Sequence, residues 1–169
     1  SEECGTSFDQ NFYDVKNQNL DDFNYFLNEY NEMRQQKSST AITDIPVRIN
    51  ILQSTGGNTA VSENDVINRI NDANVEFAES FMRFYICDEI NYITDNSLYN
   101  FNMNDEDVLY QYNQENIMNI YFMNTIDSPS GNSICGYTRF PLGFSSNSDI
   151  LVMSANCSGN LYNTCLLYT

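Results

Sequence analysis

Five cysteines, Cys4, Cys87, Cys135, Cys157 and Cys165, carry the most reactive side chains in this 169-residue sequence. They are too widely spaced for a zinc knuckle and form no Cys-x-x-Cys pair. Their number predicts disulfides with one thiol left over, and that points to an exported protein, because disulfides persist outside the reducing cytosol. Cys157 and Cys165 flank a Gly-Asn loop eight residues along, so the short ring they would close predicts that pair. The chain contains no histidine. A Ser-His-Asp triad, a Cys-His dyad and any His-based zinc site are therefore excluded within it.

The carboxylates add little chemistry. Asp88 and Glu89 fall in a predicted strand, where neighbouring side chains point to opposite faces and cannot act together on one substrate. Asn102, Asn104, Asp105 and Asp107 have the ligand types of a calcium site but lack the glycine and distal bidentate Glu of an EF-hand loop, so a solvated acidic loop is the favoured reading. Asn156-Cys-Ser158 matches an N-glycosylation acceptor, a pattern frequent by chance. A formal charge of -16 with only seven Lys plus Arg argues against a phosphate-binding surface, so neither nucleic acid nor an anionic membrane is an expected partner. No apolar run approaches the roughly 20 residues of a membrane span, and Ser-Glu-Glu-Cys at the start has no signal-peptide layout.

The elements that must position these residues follow from periodicity. Leu20, Phe23, Leu27 and Tyr30 recur at helical spacing after Asn19, a capping residue type, and the run from Gln35 to Thr40 breaks the pattern as a linker. Ile45-Pro-Val-Arg-Ile-Asn-Ile-Leu52 alternates as a strand with one buried face, its proline confined to a strand start or an edge. Ser54 to Asn58 is a turn. Ser62 and Asp65 form a capping box ahead of Val66, Ile70, Ala73, Phe77 and Phe81, the apolar face of a helix of about five turns. Phe84 to Ile93 reads as one strand. Thr94 to Asn116 has no clean period and reads as a long loop with a helical turn near Asp105 to Tyr110. Strands follow at Ile117 to Thr125, at the short Cys135 to Pro141 segment and at Asp149 to Ala155. The aromatic residues Phe77, Phe81, Phe84, Tyr121 and Phe122 are expected in the core. This order predicts a single α/β domain with a twisted mixed sheet, one antiparallel edge strand and one or two packed helices.

Taken in order, Ile45-Pro-Val-Arg-Ile-Asn-Ile-Leu52, the Gly56-Gly-Asn58 turn, the helix from Ser62 to Ser80, the strand from Asn116 to Thr125, Cys135-Gly-Tyr-Thr-Arg-Phe-Pro141 and Asp149-Ile-Leu-Val-Met153 resemble the N-terminal half of a pappalysin-type metzincin. That family comprises secreted zinc metalloendopeptidases, whose active-site helix carries His-Glu-x-x-His-x-x-Gly-x-x-His. The motif is not in this chain. The resemblance therefore implies a metzincin-like subdomain at 41–169 that ends before the active-site helix, inactive alone, with zinc belonging to the intact parent.

It also implies roles for particular residues. In metzincins the edge strand pairs with a bound peptide substrate, which assigns substrate contact to Gly136, Tyr137 and Thr138. Cys4-Gly-Thr6 is similar to a run near the start of pappalysin-like proteins. Cys4 is thus either a pro-segment thiolate that occupies the zinc's open position or a disulfide partner for the missing half, and residues 1–40 read as lead-in, helix and pro-segment. The alternative is a non-catalytic exported binding module. Physically the two readings differ at the sheet. A missing catalytic half leaves an apolar face bare or covered by another chain, whereas a self-sufficient module covers that face itself.

Overall fold

The computed structural model describes residues 42–138 and 150–157. The helix predicted from Asn19, the linker at 35–40, Cys4 and Cys165 lie outside the described residues.

Strand β1 (Thr43–Gln53) organises the sheet, because three other strands hydrogen-bond to it. Along one side it pairs in parallel with β2 (Met82–Ile86) over its first half and with β3 (Asn91–Thr94) over its second. Along the other side Val47 to Ile51 pair in parallel with β5 (Met118–Met123). Next comes β8 (Ile150–Ser154), parallel to β5, and β7 (Gly136–Thr138) ends the order antiparallel to β8. This is the mixed sheet with an antiparallel edge strand that the segment order predicts. Pro46 fits because its missing N–H is needed by neither neighbour. The Thr43 amide and the Val47 carbonyl face β2, so the alternate residue Pro46 faces the β5 side, one position before β5 pairing begins at Val47.

Helix α1 (Glu63–Glu76) links β1 to β2. Ser62 caps it by accepting from the Asp65 amide at 3.2 Å, as the capping box predicts. The helix ends at Glu76, four residues short of the predicted stop. A single 3₁₀ turn follows, and Phe81 takes a left-handed backbone with φ of 55° that reverses the chain into β2. That turn carries Phe81 out of the core and leaves it 44% exposed, contrary to its helical spacing. Val66, Ile70 and Ala73 pack against Val47, Ile49, Ile51, Ile120, Phe122, Leu151 and Met153, one whole face of the sheet.

The opposite face is also buried. Leu52, Tyr121, Met123, Ile150 and Val152 lie beneath residues of the asparagine-rich stretch that periodicity reads as a loop. That stretch folds as α2 (Asn96–Tyr99), β4 (Asn100–Asn102) and a 3₁₀ segment (Met103–Tyr112), and β4 pairs in parallel with β6 (Thr125–Asp127). Its anchors Leu98, Phe101, Met103 and Leu109 are spaced for no single period, because the stretch is divided among three short elements. Two-sided burial is the rule for parallel sheets and makes Asn50, predicted on the open face of β1, fully buried. Its Oδ1 accepts from Asn91 Nδ2 at 2.9 Å.

The predicted strand from Phe84 to Ile93 is two strands. Between them the Asp88 carboxylate accepts from the Glu89 amide at 2.9 Å, a local turn that breaks the ladder and places the two acids off the sheet.

Phe122, fully buried at the centre of the α1 face, should lose about 3–5 kcal/mol of stability when changed to Ala, measured by urea unfolding. Asp95 caps α2, accepting from the Ser97 hydroxyl and from the Ser97 and Leu98 amides, and these bonds, the hydroxyl's foremost, hold its carboxyl below the ordinary range. Its contribution is present above the unfolded carboxylate pKa and is lost as the pH falls through the lower folded value, from about pH 4 downward. Asp95→Asn should flatten that part of the acid limb in a pH series of urea midpoints.

Candidate functional site

Edge strand β7 is held by three contacts to β8 and its flanks. The Ser154 amide donates to the Cys135 carbonyl at 2.8 Å, the Thr138 hydroxyl donates to the Ile150 carbonyl at 3.0 Å, and Cys135 forms a disulfide with Cys157 across a Cα separation of 5.3 Å. The first of these sets the direction of every main-chain group in the strand. Cys135 and Ser154 are a hydrogen-bonded pair of an antiparallel ladder, so Tyr137 and Val152 are the next such pair. Gly136 and Thr138 alternate with them and turn their main-chain groups away from β8. Of the three residues assigned to substrate contact, the structure therefore brings two together with outward-directed backbone. Tyr137 is 1% exposed, and its ring lies in the core beside Val152 and Ile134. Its side chain belongs to the fold.

The disulfide corrects the pairing predicted from spacing. Cys157 is bonded to Cys135, 22 residues away in sequence, and is not available to Cys165. The physical reason is register. Antiparallel pairing of Gly136 with Met153 brings the residue before β7 and the residues after β8 to the same end of the two strands, and no local ring is required. Only the direction of β7 relative to β8 could have revealed this, and sequence spacing carries no such signal. Cys87 is the free cysteine among the described residues. It is exposed, and its thiol donates to the Val47 carbonyl at 3.3 Å.

Beneath the 3₁₀ segment a polar layer ties the loop before β5 to the sheet. Arg48 donates to Gln114 Oε1 at 2.9 Å and lies 3.6 Å from Asp88, while Asn119 bonds the Gln114 main chain through both its amide groups. The Tyr121 hydroxyl lies 2.6 Å from Asn113 Oδ1 and 3.0 Å from the Leu109 carbonyl. Burial pushes its ionisation well above the ordinary tyrosine range, so it acts as a neutral hydrogen-bond donor. The layer has the character of a structural clamp.

The described residues do not supply a zinc site. The chain has no histidine, and among the described residues no group of three His, Cys, Asp or Glu side chains converges to hold a metal ion. Of the acidic cluster considered for calcium, Asn104, Asp105 and Asp107 are exposed, and Asn102 Oδ1 is engaged by the Asn104 amide at 2.9 Å. Asn156, of the glycosylation pattern, is exposed in the turn after β8.

Tryptic digestion without reduction should release residues 84–139 joined through Cys135 to residues 140–169, since the last cleavage site is Arg139. A Cys157–Cys165 ring would instead leave the two peptides separate.

No family model matches the chain, and no curated protein sequence matches it significantly. Among solved structures it is similar to a mutant of promirolysin from Tannerella forsythia, at a TM-score of 0.51 and 18% identity, over 90% of this chain. The chain spans 59% of the length of that protein. At this identity the likeness is one of fold: a mainly parallel sheet with an antiparallel edge strand and few helices.

Proposed function

We propose that this chain is the N-terminal subdomain of a secreted, pappalysin-like zinc metalloendopeptidase and that it forms one wall of the substrate cleft. The observation that supports this most directly is the edge strand. β7 runs antiparallel at the end of an otherwise parallel sheet, within a fold similar to promirolysin, and Gly136 and Thr138 direct main-chain groups away from β8. An extended peptide recognised there would be bound chiefly through its backbone, because Tyr137 is committed to the core and the Thr138 hydroxyl to β8. Gly136 and Thr138 are thus the contact residues, and Tyr137 positions them. The zinc ligands and the general base would lie in the catalytic half, since this chain has no histidine and, among the described residues, no group of three His, Cys, Asp or Glu side chains converges. Residues 1–40 serve as a pro-segment, with Cys4 either blocking the metal of that half or bonded to a cysteine within it.

Export is supported by the Cys135–Cys157 disulfide, and among the described residues no helix is long and apolar enough to cross a membrane.

One observation favours the second reading, a non-catalytic exported binding module. Both faces of the sheet are buried within this chain, from Ile49 and Phe122 on the α1 face to Tyr121 and Val152 on the other. No bare sheet face waits for a missing half among the described residues.

The coding sequence downstream of Thr169 separates the two. His-Glu-x-x-His within a few codons is expected, and an immediate stop codon would decide for the binding module. The 169-residue protein alone should hydrolyse no peptide, and purified material with chelator-sensitive peptidase activity would overturn the subdomain reading.

A further inference from the structure

Among the described residues the sheet has a second edge, at β2, and one side chain from α1 closes it. The Phe81 carbonyl accepts from the Thr43 amide at 2.7 Å and the Cys87 amide donates to the Val47 carbonyl at 3.2 Å, so the odd-numbered residues here face β1. By alternation Met82, Phe84 and Ile86 turn their main-chain groups outward. Asn74 meets the middle one from both sides. The Phe84 amide donates to Asn74 Oδ1 at 2.6 Å, and Asn74 Nδ2 donates to the Phe84 carbonyl at 2.9 Å. A carboxamide carries one acceptor and one donor group side by side, as a peptide unit of an incoming strand would. The Met82 amide is directed at the Phe77 carbonyl, 3.4 Å away.

We propose that Asn74 occupies the strand-addition position on the β2 edge and so prevents a second copy of this chain from pairing there through its own β2. The edge is otherwise suited to self-association. An antiparallel pairing of two copies centred on Phe84 would set Met82 opposite Ile86 and Arg83 opposite Tyr85. The Arg83 and Tyr85 side chains are both exposed, and a guanidinium beside a tyrosine ring is attractive. Phe81 and Ile42, exposed at the same end of the strands, add apolar surface to the contact. An uncovered edge with such side chains is a template for pairing unless something blocks it. This inference is independent of the peptidase reading.

The test is Asn74→Ala in the full 169-residue chain. Alanine is the best helix former, so α1 is retained. Sedimentation velocity over a concentration series should show association at least about tenfold stronger than in the wild type, and the Phe84 amide should lose protection from hydrogen exchange at low concentration. Adding Ile86→Pro, which deletes another outward N–H at an edge position that tolerates proline, should reverse the association. If Asn74→Ala does not fold, Asn74→Ser is measured in the same way. A folded variant that associates no more than the wild type overturns the proposal, as does association that survives Ile86→Pro. In either case Asn74 merely staples α1 to β2.

Discussion

Hydrogen bonding of β1 to three parallel strands at once is the interaction on which the rest of the structure depends. From Val47 to Leu52 the strand is flanked on both sides and covered on both faces, so its groups have little access to water and are for the most part apolar or hydrogen-bonded. Val47, Ile49, Ile51 and Leu52 meet that condition through packing. Arg48 and Asn50 meet it in part: Arg48 Nη1 donates to Gln114 and Asn50 Oδ1 accepts from Asn91, while Arg48 Nε and Asn50 Nδ2 have no hydrogen-bond partner among the described residues. The requirement thus reaches outward into neighbouring segments. Gln114 belongs to the loop that enters β5, and Asn119 locks the same loop by bonding its main chain. The polar residues of the central strands thus specify how the surrounding chain is routed as well as how it is solvated.

The second face of the sheet links that routing to the candidate site. Its cover runs from Leu98 through Ile126 to Ile134, immediately before Cys135. Strand β7 therefore leaves a packed layer at one end and is stapled by the disulfide to the residue that follows the β8 turn. Packing, register and a covalent bond all act on a strand of three residues, too short to hold its place by ladder bonds alone. The alternation that follows turns the backbone of Gly136 and Thr138 away from β8 and buries the ring of Tyr137.

The two edges of the sheet are managed differently. At β2 a carboxamide from α1 mimics the missing strand. At β7 the strand is antiparallel, short and cross-linked. One face of α1 builds the core through Val66, Ile70 and Ala73, while the residue next to Ala73 reaches the edge.

Much of this architecture was legible in the sequence where a single physical signal dominated. The capping box at Ser62, the stripe from Val66 to Ala73 and the apolar runs of β5 and β8 each identify an element by its own residues. The proline-limited start of β1 and the likeness of segment order to a metzincin pointed to a mixed sheet with its edge at Gly136 to Thr138. The tertiary structure decided everything that depends on two segments meeting. It split Phe84 to Ile93 at the Asp88 turn and folded the asparagine-rich stretch into three short elements over the sheet. It also buried Asn50 against Asn91, joined Cys157 to Cys135 and set Asn74 against Phe84. Periodicity reports which face of one element is apolar. Partners such as these are 10 to 41 positions apart in sequence and are chosen by sheet register, which no local pattern encodes.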